Sequence, residues 1–166
     1  MPAATAVRIP APVDESSDRV AVIITSHNYG RFLADAIEST LRQGDAVGQV
    51  LVMDDSSTDD TRAVAERYAP AVRYVRVEYG CVIRSREHGL NLSNCPVIMF
   101  LDADNMLAPG YLAAALAKLR DPRVGIVACD LQMFGNVERL HELNAGGFDR
   151  RRFALQNSLD TGCVTR

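Results

Sequence analysis

Short apolar runs rich in Val, Ile and Leu alternate along the chain with segments whose apolar residues recur at helical spacing. Val20-Ala21-Val22-Ile23-Ile24, Val50-Leu51-Val52-Met53, Pro96-Val97-Ile98-Met99-Phe100-Leu101 and residues 72–77 and 124–129 have the length and β-prone character of buried strands. The intervening patterns predict helices over 30–43, from about 59 to just before Pro70, over 82–92 and over 111–119. In the first of these, Phe32, Leu33, Ala36, Ile37, Thr40 and Leu41 share one face, and Gly44 suits the C-terminal stop. Ser57 or Thr58 is the expected cap of the second helix, and Pro109 is expected in the first turn of the fourth. Strand and helix in alternation predict an α/β fold, a mostly parallel sheet with crossover helices.

Three polar clusters end three of these strands: Thr25-Ser26-His27-Asn28, Asp54-Asp55-Ser56-Ser57 and Asp102-Ala103-Asp104. In a parallel sheet all three meet at one edge, the carboxyl end where open α/β sheets place their ligands. Asp102 and Asp104 alternate along an extended backbone, so aiming both at one ligand needs a bend before Asn105. Paired carboxylates are hard ligands suited to magnesium or manganese, which also bind substrate phosphates. The alternative is a pair of solvated acids in a βα loop. An ionised Asp55 can accept from the imide N–H of a uracil-like base; Asp54 and Asp59 compete for that role, and residues 54–60 can equally be an acidic helix N-terminus. His27 can lie flat on a base or be an ordinary loop residue. Arg84 and Arg86 share the helix before the fourth strand, within reach of a phosphate or simply on a solvated face.

Composition narrows the classes. At 166 residues and 48% hydrophobic, the chain fits one domain. Eighteen basic against twenty-one acidic residues give a net charge of -3, which excludes a strong field towards nucleic acid or an anionic membrane. Cys81, Cys95, Cys129 and Cys163 form no CxxC pair, so reduced thiols and a cytoplasmic location are expected. Residues 1–19, rich in Ala, Pro, Ser and Asp, read as a flexible leader, and no run approaches the ~20 apolar residues of a membrane span. Membrane contact, if any, is peripheral. Neither GxGxxG after the first strand nor a GxxxxGK loop occurs.

In order, residues 20–33 and 37–43, then Val50-Leu51-Val52-Met53-Asp54-Asp55-Ser56-Ser57-Thr58-Asp59-Asp60-Thr61, then Phe100-Leu101-Asp102-Ala103-Asp104-Asn105, resemble the opening, nucleotide-binding and metal-binding DxD segments of family 2 glycosyltransferases. The resemblance covers about residues 20–130. It implies a Rossmann-like GT-A fold with helices on both sheet faces, a domain over 20–166, and Mn²⁺ or Mg²⁺ with a nucleoside-diphosphate sugar, a UDP-sugar first. It puts Thr25 and His27 beside the base, Asp55 accepting from it, Asp102 near the ribose or metal, and Asp104 on the metal. Arg86 matches a basic position near the sugar donor. The reaction implied is transfer of the sugar, with inversion, to an acceptor hydroxyl of a carbohydrate, lipid or protein.

Ser56 stands where the family commonly has glycine, and Glu87 where it often has asparagine. No copy of the family's later acidic motif, the general base, is found; Glu142, Asp149 and Asp160 are candidates by default. That departure keeps a non-catalytic or truncated sugar-nucleotide-binding module as the alternative, the stretch 20–166 then being the donor-binding part of the domain. A phosphatase with an aspartyl nucleophile fits less well, because its DxD would end the first core strand.

Overall fold

A computed structural model describes residues 19–133, 139–141 and 163–166, with only the backbone of 139–141. The expected leader, except Arg19, and the three default base candidates lie outside the described residues. β1 (Val20–Ser26), β2 (Val47–Asp55), β3 (Arg73–Val77) and β4 (Val97–Asp102) run parallel, while β8 (Val164–Thr165) runs antiparallel between β4 and β5 (Ile126–Val127). The sheet order is β3-β2-β1-β4-β8-β5, and β6 (Leu131–Met133) pairs with β7 (Arg139–His141) as a separate ribbon.

β1 is buried along its whole length, as a central strand covered on both faces must be. Val20, Val22 and Ile24 face a cluster that takes in Leu33, Ala36 and Ile37 of α1 (Gly30–Leu41), Val64 and Ala65 of α2 (Thr61–Glu66), and Leu112, Ala115 and Leu119 of α4 (Tyr111–Leu119). Ala21 and Ile23 face the opposite cluster with Leu51, Met53 and Ile98. There α3 (Val82–Asn91) lies against the sheet through Gly89, where a Cβ would stand 2.6 Å from Ile23 Cγ2. Three layers result, with β1 at the centre.

Helix starts are made differently from expectation. Neither Ser57 nor Thr58 caps α2; Asp59 Oδ1 accepts from Thr61 N at 3.0 Å, and its Oδ2 from Gly30 N, the first residue of α1, at 2.9 Å. One carboxylate thus holds the N-termini of two helices, where the dipole favours an anion. Such proximity requires glycine at position 30, since a Cβ would meet Thr61 N at 2.8 Å. Pro109 sits ahead of α4 rather than in its first turn, because Gly110, at φ +75°, reverses the chain between them.

Candidate active site at the carboxyl end of the sheet

β1, β2 and β4 end side by side, in the register Thr25 to Asp102 and Ser26 to Asp54. A cleft of about 500 Å³ opens there, lined by Thr25, His27, Asp55, Cys81, Asp102 and Asp104 among others. The bend the two carboxylates need is present: β4 stops at Asp102, and Asn105 N closes a turn onto Asp102 O at 3.0 Å. Asp102 is partly buried and Asp104 exposed.

Asp102 Oδ1 accepts from Thr25 Oγ1 at 3.1 Å and from Arg86 NH2 at 2.6 Å. The second contact is a charge-assisted bond short enough to fix both partners. Arg86 reaches it from α3, with its guanidinium 5.8 Å from the Phe100 ring centroid. Its Nε is buried without a hydrogen-bond partner, and Arg86 meets the cleft through Asp102 and does not itself line it. Thr25, Arg86 and Asp102 therefore form one cluster.

Asp55 lines the same cleft, but its oxygens are already engaged. Oδ1 accepts from Tyr79 N at 2.8 Å and Gly80 N at 3.0 Å, and Oδ2 from Cys81 N at 2.9 Å and Ser85 Oγ at 3.1 Å. Burial pushes its pKa up, yet the hydrogen bonds from Gly80, Cys81, Tyr79 and Ser85 outweigh it and hold the carboxyl below its ordinary value. The conformation of Gly80, φ +57°, lets successive amides converge on one carboxylate. Sequence reading did not single out this loop or Ser85.

His27 is exposed, with Nδ1 2.5 Å from the Asp55 carbonyl oxygen and Nε2 3.2 Å from Asn28 Nδ2. Asp54 does not join the cleft lining. It points to the opposite face of the sheet, wholly buried, where Oδ1 accepts from Ser57 N at 2.9 Å and Oδ2 from Tyr74 OH at 2.6 Å and Arg76 NH1 at 3.3 Å. Ser56 takes φ +63°, the left-handed conformation that glycine adopts most readily.

Among the described residues no group of three or more His, Cys, Asp or Glu side chains gathers to hold a metal unaided, and no helix is long and apolar enough to cross a membrane. Two adjacent carboxylates do fit a hard cation that takes its remaining ligands from water and a substrate phosphate.

The family model described as Glycosyl transferase family 2 matches residues 21–165. The chain belongs to this family. The family 2 domain is 33% identical over 112 residues to the succinoglycan biosynthesis protein ExoU of Rhizobium meliloti, covering 65% of this chain and 31% of that one. Among solved structures, a mannosyltransferase from Pyrobaculum calidifontis in complex with GDP-Man and Mn²⁺ superposes with a TM-score of 0.61 at 27% identity, covering 75% of this chain and 38% of that one. TarS from S. aureus with UDP-GlcNAc superposes at 0.73 with 17% identity, covering 89% and 45%; that likeness supports the GT-A fold. The chain thus spans between about a third and a half of the length of these relatives.

Proposed function

We propose that this domain binds a nucleoside-diphosphate sugar together with Mn²⁺ or Mg²⁺ and serves transfer of the sugar to an acceptor hydroxyl with inversion. The observation that carries the reading is the cluster of Thr25, Arg86, Asp102 and Asp104 at the carboxyl end of β1 and β4 in a family 2 domain. Asp104 and Asp102 are the residues that would hold the metal, which supplies charge neutralisation for the departing diphosphate. Arg86, paired with Asp102, adds its positive charge beside the same negative charge. Thr25 orients Asp102 and His27 offers a ring face to the base. Asp55 already takes two hydrogen bonds on each oxygen and would accept from a base imide N–H only by sharing one of them; uridine as the base rests on the family resemblance. The acceptor is a carbohydrate, lipid or protein hydroxyl. A cytoplasmic setting accords with four cysteines spread without a pairing pattern.

Titration calorimetry with UDP, in manganese and then in excess chelator, tests the reading. Binding that needs the metal and is lost in Asp104→Ala is the expected result. Equal binding by Asp104→Ala removes its metal role, and no UDP binding by the folded wild type overturns the uridine assignment.

A further inference from the structure

The donor and acceptor chemistry around His27 fixes the proton on its ring. Thr58 N, which can only donate, points at Asn28 Oδ1 at 2.8 Å, so the Asn28 amide turns its Nδ2 towards His27. Nδ2 is also only a donor, so His27 Nε2, 3.2 Å away, must accept. The proton of the neutral ring is then on Nδ1, which donates to the Asp55 carbonyl 2.5 Å away. With both nitrogens engaged, His27 offers a ligand its ring face and no N–H.

Asn28 is held in turn from below. Its backbone, at φ +58°, donates from N to Ser57 Oγ at 2.8 Å. Ser57 donates its own N–H to Asp54, and its carbonyl accepts from Arg76 NH1 at 2.9 Å. Asp54, wholly buried, is secured by Tyr74 and Arg76 on the edge strand β3, neither of which lines the cleft. A continuous run of hydrogen bonds therefore leads from β3 to the His27 ring.

We propose that Tyr74 and Arg76 are positioning residues which, through Asp54, Ser57 and Asn28, hold the His27 ring in its Nδ1–H form, face towards the nucleotide base. The part played in base binding rests on the proposed function; the part played in the ring's tautomer does not. The Tyr74 phenol pKa is raised by burial first and then by its bond to this carboxylate.

Imidazole ¹⁵N shifts and UDP affinity in manganese test the proposal on the whole chain. His27→Gln identifies the ring's signals among those of the three histidines. Wild type is expected to show the Nδ1–H form. Tyr74→Phe combined with Arg76→Met should release the ring to a mixture of tautomers and weaken UDP about fivefold, the effect of the binding-ready ring falling to about a fifth of the population. Tyr68→Phe removes a comparable tyrosine–carboxylate bond, to Glu38 at 2.9 Å, outside this run and should move neither readout. If the double variant does not fold, Ser57→Ala breaks the run at the Asn28 N–H instead. Unchanged nitrogen shifts overturn the proposal, and so does an Nε2–H ring in the wild type. Changed shifts with unchanged affinity overturn the link to base binding. Should wild type bind no UDP, the proposed function fails on its own and the nitrogen shifts still decide the positioning role.

Discussion

Asp55 takes hydrogen bonds from three successive amides, Tyr79, Gly80 and Cys81, and from the Ser85 hydroxyl, so one side chain on β2 shapes the loop into α3. In Asp55→Asn the side-chain NH₂ must face an amide N–H whichever way it turns, leaving buried donors opposed. We expect a loss of about 1–3 kcal/mol by urea denaturation; an unchanged midpoint would show that the loop keeps its shape without the anion. At this scale the sequence brought together much of the cleft's lining, Thr25, His27, Asp55, Asp102 and Asp104, whereas Asp54 and Arg86 do not line it. Bonding partners were not legible, because the groups that saturate Asp55 lie some two dozen or more positions later with no periodic signal to connect them. Tyr74 and Arg76 escaped for the same reason: they alternate with Val75 and Val77 as an ordinary strand does.

Whole elements were more legible where a long periodic face had to be buried. α1 and α4 appear where the spacing of Leu33, Ala36 and Ile37, and of Leu112, Ala115 and Leu119, places them. α2 is shorter than its pattern, beginning at Thr61 where Asp59 supplies the first-turn acceptor and ending at Glu66. β5 keeps only Ile126–Val127, and β8 gave no sequence signal because two residues carry no periodicity. The close seat of α3 rests on Ser85 and Gly89, its buried residues. Gly89→Ala puts a methyl group against Ile23 and Met53. Overpacking outweighs the helix propensity gained, and we expect destabilisation of about 1–3 kcal/mol, read from the denaturant midpoint. A stabilised variant would mean that the helix lifts without resistance.

Across the whole molecule, two carboxylates tie the site to acid stability. Burial raises the pKa of both Asp55 and Asp59, and their hydrogen bonds more than offset it, so both fall below the ordinary carboxylate value. A folded-state pKa below the unfolded one contributes stability that is complete above about pH 4 and lost as pH falls through the folded value. Urea midpoints measured downward from pH 5 should therefore drop below about pH 4, and less steeply in Asp59→Asn. Equal slopes would mean that Asp59 titrates alike folded and unfolded. The sheet as a whole agrees with the alternation of strand and helix, except at its far side, where an antiparallel strand enters between β4 and β5. Met99 pairs there with Val164, which follows in the chain only after β1, β2, β3 and β4 are all complete. A chain emerging from the ribosome thus presents β4, with the aspartates at its tip, as a bare sheet margin until residues 164–165 arrive, and any other extended peptide met in that interval competes for the same hydrogen bonds.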